Sequence, residues 1–152
     1  MRHRPIAVAL LLAALVSTTL ARAEWTAAGG SEVPLDGNGH SWLVHATLNG
    51  RVTGLFLLDT GASYCVLAPT TARRLGLPPS SDRAELRTAN GVVHAPLVRL
   101  RTVDIGRNRA KDVPAVVHTA VSAPLDGVIG LSYLNNFSSY SIDSRRRTLR
   151  LR

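Results

Sequence analysis

The sequence predicts an all-β domain, and three observations support this prediction. Apolar and polar residues alternate over short stretches such as Trp42–Leu48, and this alternation is typical of strands with one buried face. Asn-Gly pairs, which favour tight hairpin turns, stand between such stretches at Asn49-Gly50 and Asn90-Gly91. The segments with helical character, Pro69–Leu75 and residues 132–137, are both short.

The predicted elements follow one another with short connections. Residues 40–58 form a hairpin whose second strand leads to Asp59. Gly76 ends the first helix, because glycine readily takes the left-handed conformation found after helices. Further strands are expected at residues 64–67, 84–88, 92–97, 98–105, 112–118, 125–131, 140–142 and 148–151.

The first residues are typical of an export signal. Arg2 and Arg4 precede an apolar run at residues 6–20, and Ala21-Arg22-Ala23 places small residues at a signal-peptidase site. We therefore predict a signal peptide over residues 1–23, a flexible leader over 24–39 with a short strand at 32–35, and the functional domain over 40–152. The protein is expected to be exported. The alternative is an uncleaved anchor, because the apolar run approaches the length of a short membrane span.

Composition argues against several classes of function. The 152 residues include 18 Lys and Arg against 10 Asp and Glu, and basic residues cluster at 145–152. This cluster is either a solvated turn and strand face or a surface for an anionic partner. It lacks interleaved aromatic residues, so nucleic acid is not an expected partner. The histidines lack metal-ligand spacing, and neither a metal nor a cofactor is expected. The single cysteine, Cys65, lies in an apolar run and is interpreted as a core residue.

Residues 54–67 carry the clearest indication of chemistry. An apolar run leads directly into Asp59-Thr60-Gly61, and the chain becomes apolar again from Tyr64. A carboxylate at the end of a buried strand needs compensation for its charge, and hydroxyls at Thr60 and Ser63 could supply hydrogen bonds. The alternative is an ordinary Asp-Thr-Gly hairpin turn, which would not require apolar runs on both sides.

Two motifs in this order resemble the signatures of aspartic proteases. Residues 57–63, Leu-Leu-Asp-Thr-Gly-Ala-Ser, are similar to the active-site sequence of that family. Val128-Ile129-Gly130, followed by Leu131, is similar to its second motif of two apolar residues and a glycine. The single Asp-Thr-Gly and the chain length resemble the retropepsin-like branch, which has one domain per chain and includes exported bacterial proteins. Together with the signal peptide, this resemblance implies a protein of the bacterial periplasm or a secreted protein. The resemblance implies a closed β-barrel of the acid protease fold with one or two short helices.

The resemblance also implies a reaction, the hydrolysis of peptide bonds by a water molecule. One carboxylate takes a proton from the water while a second, protonated carboxyl supports the carbonyl oxygen. Two carboxyls about 3 Å apart share one proton, because both cannot readily ionise. Since the chain offers one Asp in this context, the expected endopeptidase is a homodimer in which Asp59 of each chain is catalytic.

The other motif residues acquire supporting roles by resemblance. Thr60 would hydrogen-bond across the dimer, the Gly61 N–H would approach the carboxylate, and Ala62 and Ser63 would help to hold the loop. The second motif would pack beneath this loop. The hairpin tip Ala89-Asn90-Gly91 is expected to be a flap that covers the peptide substrate, with an ordinary hairpin as the alternative.

Three questions stay open in the sequence. Asp126 precedes the second motif and is a rival partner for Asp59, although the following Gly127 favours a simple turn. The same barrel could belong to a non-catalytic module that binds a peptide or an envelope partner, since a fold does not determine a function. The last strand, Thr148–Leu151, could pair within one chain or across a dimer.

Overall fold

The computed structural model describes residues 31–37, 39–78, 80–88 and 91–152, so the predicted signal peptide lies outside the described residues. No helix in these ranges is long and apolar enough to cross a membrane. The helices are α1 (Pro69–Leu75) and α2 (Leu131–Leu134). The strands are β1 (Ser31–Pro34), β2 (Asp36–Gly37), β3 (Trp42–Leu48), β4 (Val52–Leu58), β5 (Cys65–Leu67), β6 (Arg83–Thr88), β7 (Gly91–Ile105), β8 (Asn108–Val117), β9 (Gly127–Ile129), β10 (Tyr140–Asp143) and β11 (Thr148–Leu151).

Six strands close into a barrel, which confirms the predicted fold class. The strands β3, β4, β9, β5, β8 and β7 are hydrogen-bonded in this order, and β7 pairs again with β3 where Leu48 lies opposite Val103. Apolar side chains fill the interior, and Leu48, Phe56 and Val103 are completely buried. Every second residue of β3 from Val44 to Leu48 is buried, as its alternating sequence predicts.

Strand β9 lies between β4 and β5, the two strands that flank Asp59. It runs parallel to β4, with Ile129 opposite Leu58, and antiparallel to β5, with Val128 opposite Val66. This close arrangement requires a glycine at position 127, because a Cβ there would lie 2.3 Å from the carbonyl oxygen of Val66. The two sequence motifs are therefore direct neighbours in the sheet.

Two predictions from local sequence signals are confirmed. The β3–β4 hairpin turns at Asn49 and Gly50, whose φ angles of 52° and 64° lie in the left-handed region that Asn and Gly tolerate best. Helix α1 has the predicted bounds. It begins at Pro69. Proline has no backbone N–H, and an N–H in the first turn would have no partner within the helix. The helix ends before Gly76, whose φ is 66°.

Several elements differ in extent from the prediction: strand β8 begins at Asn108 and not at residue 112, and β9 is confined to Gly127–Ile129 within the predicted 125–131. Helix α2 is a single turn, shorter than the predicted segment 132–137. Strand β7 is continuous over 15 residues, where the sequence predicted separate strands at 92–97 and 98–105. Pro96 does not end it, because this residue lies where β7 exchanges its partner β6 for β8, at the end of one ladder of hydrogen bonds.

The two ends of the described chain form a small sheet beside the barrel, in the order β1, β11, β10. Strand β1 overlaps the short strand expected at residues 32–35 of the leader, and its pairing with β11 makes it part of the fold. Strand β11 is paired on both edges within one chain, which answers the question about Thr148–Leu151. Hydrogen bonding from Arg150 and the charge of Arg146 hold the pKa of Glu32 on β1 below its usual value.

Candidate active site

Asp59 is the first residue after β4 and begins a tight loop that leads to β5. Its N–H donates to the carbonyl oxygen of Ile129 at 3.0 Å, and its own carbonyl oxygen accepts a hydrogen bond from the Ala62 N–H at 3.3 Å. The second motif therefore anchors the loop at the residue that carries the carboxylate. This contact runs through the backbone of β9.

The Asp59 carboxylate is oriented from within its own loop. The Gly61 N–H donates to Oδ1 at 2.8 Å, as the resemblance implied. A Cβ at position 61 would lie 3.2 Å from the same oxygen, so a side chain there would crowd this hydrogen bond. Within the described residues, no Lys, Arg or His forms an ion pair with Asp59. The Gly61 N–H is thus the hydrogen-bond donor that the described residues supply to this carboxylate.

Asp59 borders a cleft of about 510 Å³ between its loop and strand β6. Small residues of the loop, such as Gly61 and Ala62, line one side of the cleft. The opposite side carries Glu85 and Arg87, which are exposed and whose Oε1 and Nε atoms are 3.8 Å apart. The cleft is lined by Asp59, Gly61, Ala62, Ser63, Tyr64, Val66, Glu85, Leu86 and Arg87. Among these residues, the sequence interpretation had assigned a site role only to the loop residues Asp59 to Ser63.

A second, apolar pocket of about 480 Å³ adjoins this cleft and shares Val66 and Leu86 with it. Leu57 from β4, Val128 from β9 and Val93 from β7 contribute to its wall. The loop between β8 and β9 closes the far side, and the remaining lining residues are His118, Ala120, Val121, Ser122, Ala123, Pro124 and Leu125. The β6–β7 hairpin therefore lines both spaces, one beside the carboxylate and one apolar.

Helix α2 packs end-on against the Asp59 loop. The Leu131 N–H donates to the Ala62 carbonyl oxygen at 2.8 Å, and the Ser132 N–H donates to the Ser63 carbonyl oxygen at 3.0 Å. This approach requires a glycine at position 130. A Cβ there would lie 2.4 Å from the Tyr64 carbonyl oxygen and 2.6 Å from that of Ala62. Because Gly130 has no side chain, α2 can approach the Asp59 loop closely enough to form these hydrogen bonds.

The Ser132 hydroxyl is a support that the sequence interpretation missed. Its Oγ accepts a hydrogen bond from the Cys65 N–H at 2.8 Å and donates to the Pro114 carbonyl oxygen at 2.7 Å. It thereby ties the start of β5 to β8 and α2. The available signal was a hydroxyl two residues after the second motif, at the start of the helix predicted there.

The hydroxyls of Thr60 and Ser63 do not hold the loop within one chain. Both residues are exposed, and neither side chain has a hydrogen-bond partner among the described residues. Ser63 supports the loop through its carbonyl oxygen, which accepts from Ser132, and not through the predicted hydroxyl. The role of Thr60 across a dimer stays a prediction.

The predicted flap corresponds to the hairpin of β6 and β7, which pair from Arg83 opposite Pro96 to Thr88 opposite Gly91. Ala89 and Asn90, at its tip, lie outside the described residues. Leu86 and Val93 are opposite each other in this hairpin, and both line the apolar pocket. A covering role for the hairpin stays a prediction.

Cys65 and Asp126 lie near the site without bonding to Asp59. Cys65 is buried, and burial raises the pKa of its thiol, so the neutral form is favoured and a nucleophilic role is disfavoured. Asp126 is not the simple turn residue that the sequence favoured. Its carboxylate accepts hydrogen bonds from the Leu55 N–H and from Arg74. A carboxylate beside a buried strand needs partners, as stated for Asp59, but nothing in the local sequence identifies these donors.

Comparisons with known proteins agree with this geometry. The family model described as aspartyl protease matches residues 44–133, which include both motifs. A retropepsin-like aspartic protease from Rickettsia conorii has a similar structure, with a TM-score of 0.59 and 25% identity, over 80% of this chain and 89% of that one. An uncharacterised protein from the cobV 5′ region of a Sinorhizobium species is 33% identical over 118 residues, which are 76% of this chain and 48% of the relative. The chain thus spans about half the length of this curated relative.

The family match covers more than half of the chain, and the barrel brings the two motifs within the matched residues into contact. On these grounds the chain belongs to the aspartyl protease family, and its fold is retropepsin-like.

Proposed function

We propose that this protein is an exported, homodimeric aspartic endopeptidase in which Asp59 of two chains forms the catalytic pair. The observation that carries the proposal is the placement of the Asp59 carboxylate. It is oriented by the Gly61 N–H at 2.8 Å and borders an open cleft that continues into an apolar pocket. Within the described residues, no second carboxylate is hydrogen-bonded to it, which supports a partner acid from another chain.

The mechanism follows from two such carboxyls that share one proton. The ionised Asp59 accepts a proton from a water molecule as that water attacks the peptide carbonyl carbon. The protonated Asp59 of the other chain donates a hydrogen bond to the carbonyl oxygen, where negative charge develops. The carboxyl that gained a proton then protonates the departing amine. In each chain the Gly61 N–H orients the Asp59 carboxylate throughout these steps, because main-chain donors need no rearrangement during the reaction.

The cleft favours an extended peptide as the substrate. A peptide strand that lies between the Asp59 loop and strand β6 places alternate side chains on opposite sides. The apolar pocket has room and chemistry for one of these side chains, since Leu57, Val93 and Val128 contribute to its wall. Burial of a leucine-sized side chain there supplies about 2 kcal/mol of binding free energy. Location in the periplasm or outside the cell rests on the N-terminal sequence alone.

The proposal predicts that peptide cleavage depends on the concentration of the chain. Below the dissociation constant of the dimer, the rate rises with the square of chain concentration, because only pairs of chains are active. Cleavage of an unstructured polypeptide would be measured over a dilution series, with sedimentation velocity on the same samples. A statine-type transition-state mimic should block the activity, since such mimics bind far more tightly than substrates.

Mixing with inactive chains provides the control. An excess of Asp59→Asn chains should suppress wild-type activity, because most wild-type chains are then in mixed dimers with one intact carboxyl. Specific activity that stays constant on dilution of a monomeric sample would refute the shared site. Tight peptide binding without any cleavage would instead favour the non-catalytic module.

A further inference from the structure

The carboxylate of Asp126 joins three elements of the fold outside the cleft of Asp59. Oδ2 accepts a hydrogen bond from the Leu55 N–H of β4 at 3.0 Å. Oδ1 accepts from two groups of α1, the Thr71 hydroxyl at 3.2 Å and the Arg74 guanidinium at 2.8 Å. All three donors are distant from Asp126 in the sequence. An ordinary turn aspartate would bond to its own neighbouring backbone, so this network has another role.

The surrounding backbone strengthens the same junction. The Asp126 N–H donates to the Leu55 carbonyl oxygen at 2.8 Å, and the Asp126 carbonyl oxygen accepts from the Ala68 N–H at 3.0 Å. Gly54 leaves the space for the carboxylate, because a Cβ there would lie 2.3 Å from Oδ2. The Asp126 side chain is 23% exposed, and its partner Arg74 is 52% exposed. The ion pair is thus partly shielded from water, where charge-assisted hydrogen bonds are stronger than at an open surface.

Residues next to this junction line the apolar pocket. Leu125, the residue before Asp126, lines the pocket from the β8–β9 loop. Leu57, two residues after Leu55, lines it from β4. The contact between Asp126 and Leu55 therefore sets the distance between two walls of the pocket. Strand β9, which follows Asp126, also anchors Asp59 through the Ile129 carbonyl oxygen.

We propose that Asp126 is a positioning residue for substrate binding: held by Arg74, Thr71 and the Leu55 N–H, it fixes the β8–β9 loop against β4 and so sets the shape of the apolar pocket. This inference rests on the proposed peptidase function. It assigns Asp126 no contact with the substrate and no proton transfer. It makes helix α1 part of the support for substrate selection.

Arg74→Ala tests the inference, with Arg73→Ala as its matched control. Arg73 is the neighbouring arginine on α1, and its side chain has no partner among the described residues. Arg74→Ala should raise KM roughly 10-fold for peptides with a large apolar residue at the cleavage site, because a loosened hydrophobic pocket discriminates on this scale. Its kcat, and its KM for peptides with alanine at that position, should change less than about 2-fold. Arg74→Lys should recover part of the loss by restoring a charged donor.

A second readout does not depend on catalysis. Hydrogen exchange at the Leu125 and Asp126 amides, which donate to Ser122 and Leu55, should be faster in Arg74→Ala than in Arg73→Ala. Asp126→Asn should show the same two changes more strongly, provided that circular dichroism shows the wild-type fold.

The possible outcomes separate this inference from the proposed function. Equal KM values and equal exchange in Arg74→Ala and Arg73→Ala would overturn the role of Asp126 while cleavage by the wild type persists. A uniform loss for all peptides would overturn it as well, because that result indicates a general structural role. If the wild-type protein cleaves no peptide, the proposed function fails, and the exchange rates alone decide whether Asp126 fixes the loop.

Discussion

Asp59→Asn is expected to reduce peptide cleavage by at least about 10³-fold, because general acid-base catalysis contributes on this scale and both carboxyls of the dimer change together. The fold should persist. The asparagine Oδ1 can still accept the hydrogen bond that the Gly61 N–H now donates at 2.8 Å. Initial rates on an unstructured peptide, measured with equal concentrations of folded protein, would show the loss.

The appropriate control is Asp82→Asn, which removes an equal charge from an exposed position outside the Asp59 cleft. This variant should retain wild-type rates. Dimer formation and the unfolding midpoint should be similar in all three proteins. If Asp59→Asn cleaves at the wild-type rate, Asp59 is not the catalytic acid. If wild type and variant bind peptide equally and neither cleaves it, the barrel is a binding module.

Gly130→Ala is expected to destabilise the protein by roughly 3 kcal/mol, the upper range for overpacking of a well-filled interior. The added methyl would meet the carbonyl oxygens of Tyr64 and Ala62 at 2.4 and 2.6 Å. These atoms belong to the backbone of the Asp59 loop, so relief of the clash must move that loop. A shift of about 1 Å at the reacting groups lowers kcat/KM by on the order of 10²-fold. Urea unfolding and kcat/KM of the folded fraction would measure the two effects.

Gly76→Ala separates this steric effect from the usual penalty of replacing a glycine. Gly76 has a φ of 66° and open space around its Cβ position, so its substitution costs only about 1–2 kcal/mol of left-handed strain. Gly130 has a φ of −112°, which alanine adopts readily. A Gly130→Ala variant with unchanged kcat/KM and a smaller loss of stability than Gly76→Ala would contradict the packing described between α2 and the loop.

The sequence was sufficient wherever a structural signal is local. Asn49-Gly50 predicts its hairpin because both residues tolerate a positive φ, and Pro69 with Gly76 predicts both ends of α1. The short apolar run before Asp59 likewise indicated a buried strand that ends at a carboxylate. These features depend on a few adjacent residues, whose conformational preferences agree with the final fold.

Features that depend on distant partners could not be predicted in the same way. The partner of strand β1, which is β11 at the other end of the chain, is one such feature. The network of Asp126 depends on donors from β4 and α1, and Ser132 depends on β5 and β8. A local pattern of Asp-Gly indicates a turn equally well with or without such partners. The sequence could therefore predict the reactive carboxylate more readily than the residues that support it.

The separation of the two Asp59 carboxyl groups in a crystal structure of the active assembly is the most direct test of the account. Two chains related by a twofold axis should place the nearest carboxylate oxygens about 3 Å apart, each carboxylate still bonded to its own Gly61 N–H. Asp59 side chains that lie far apart, each open to solvent in a preparation that cleaves peptides, would contradict it.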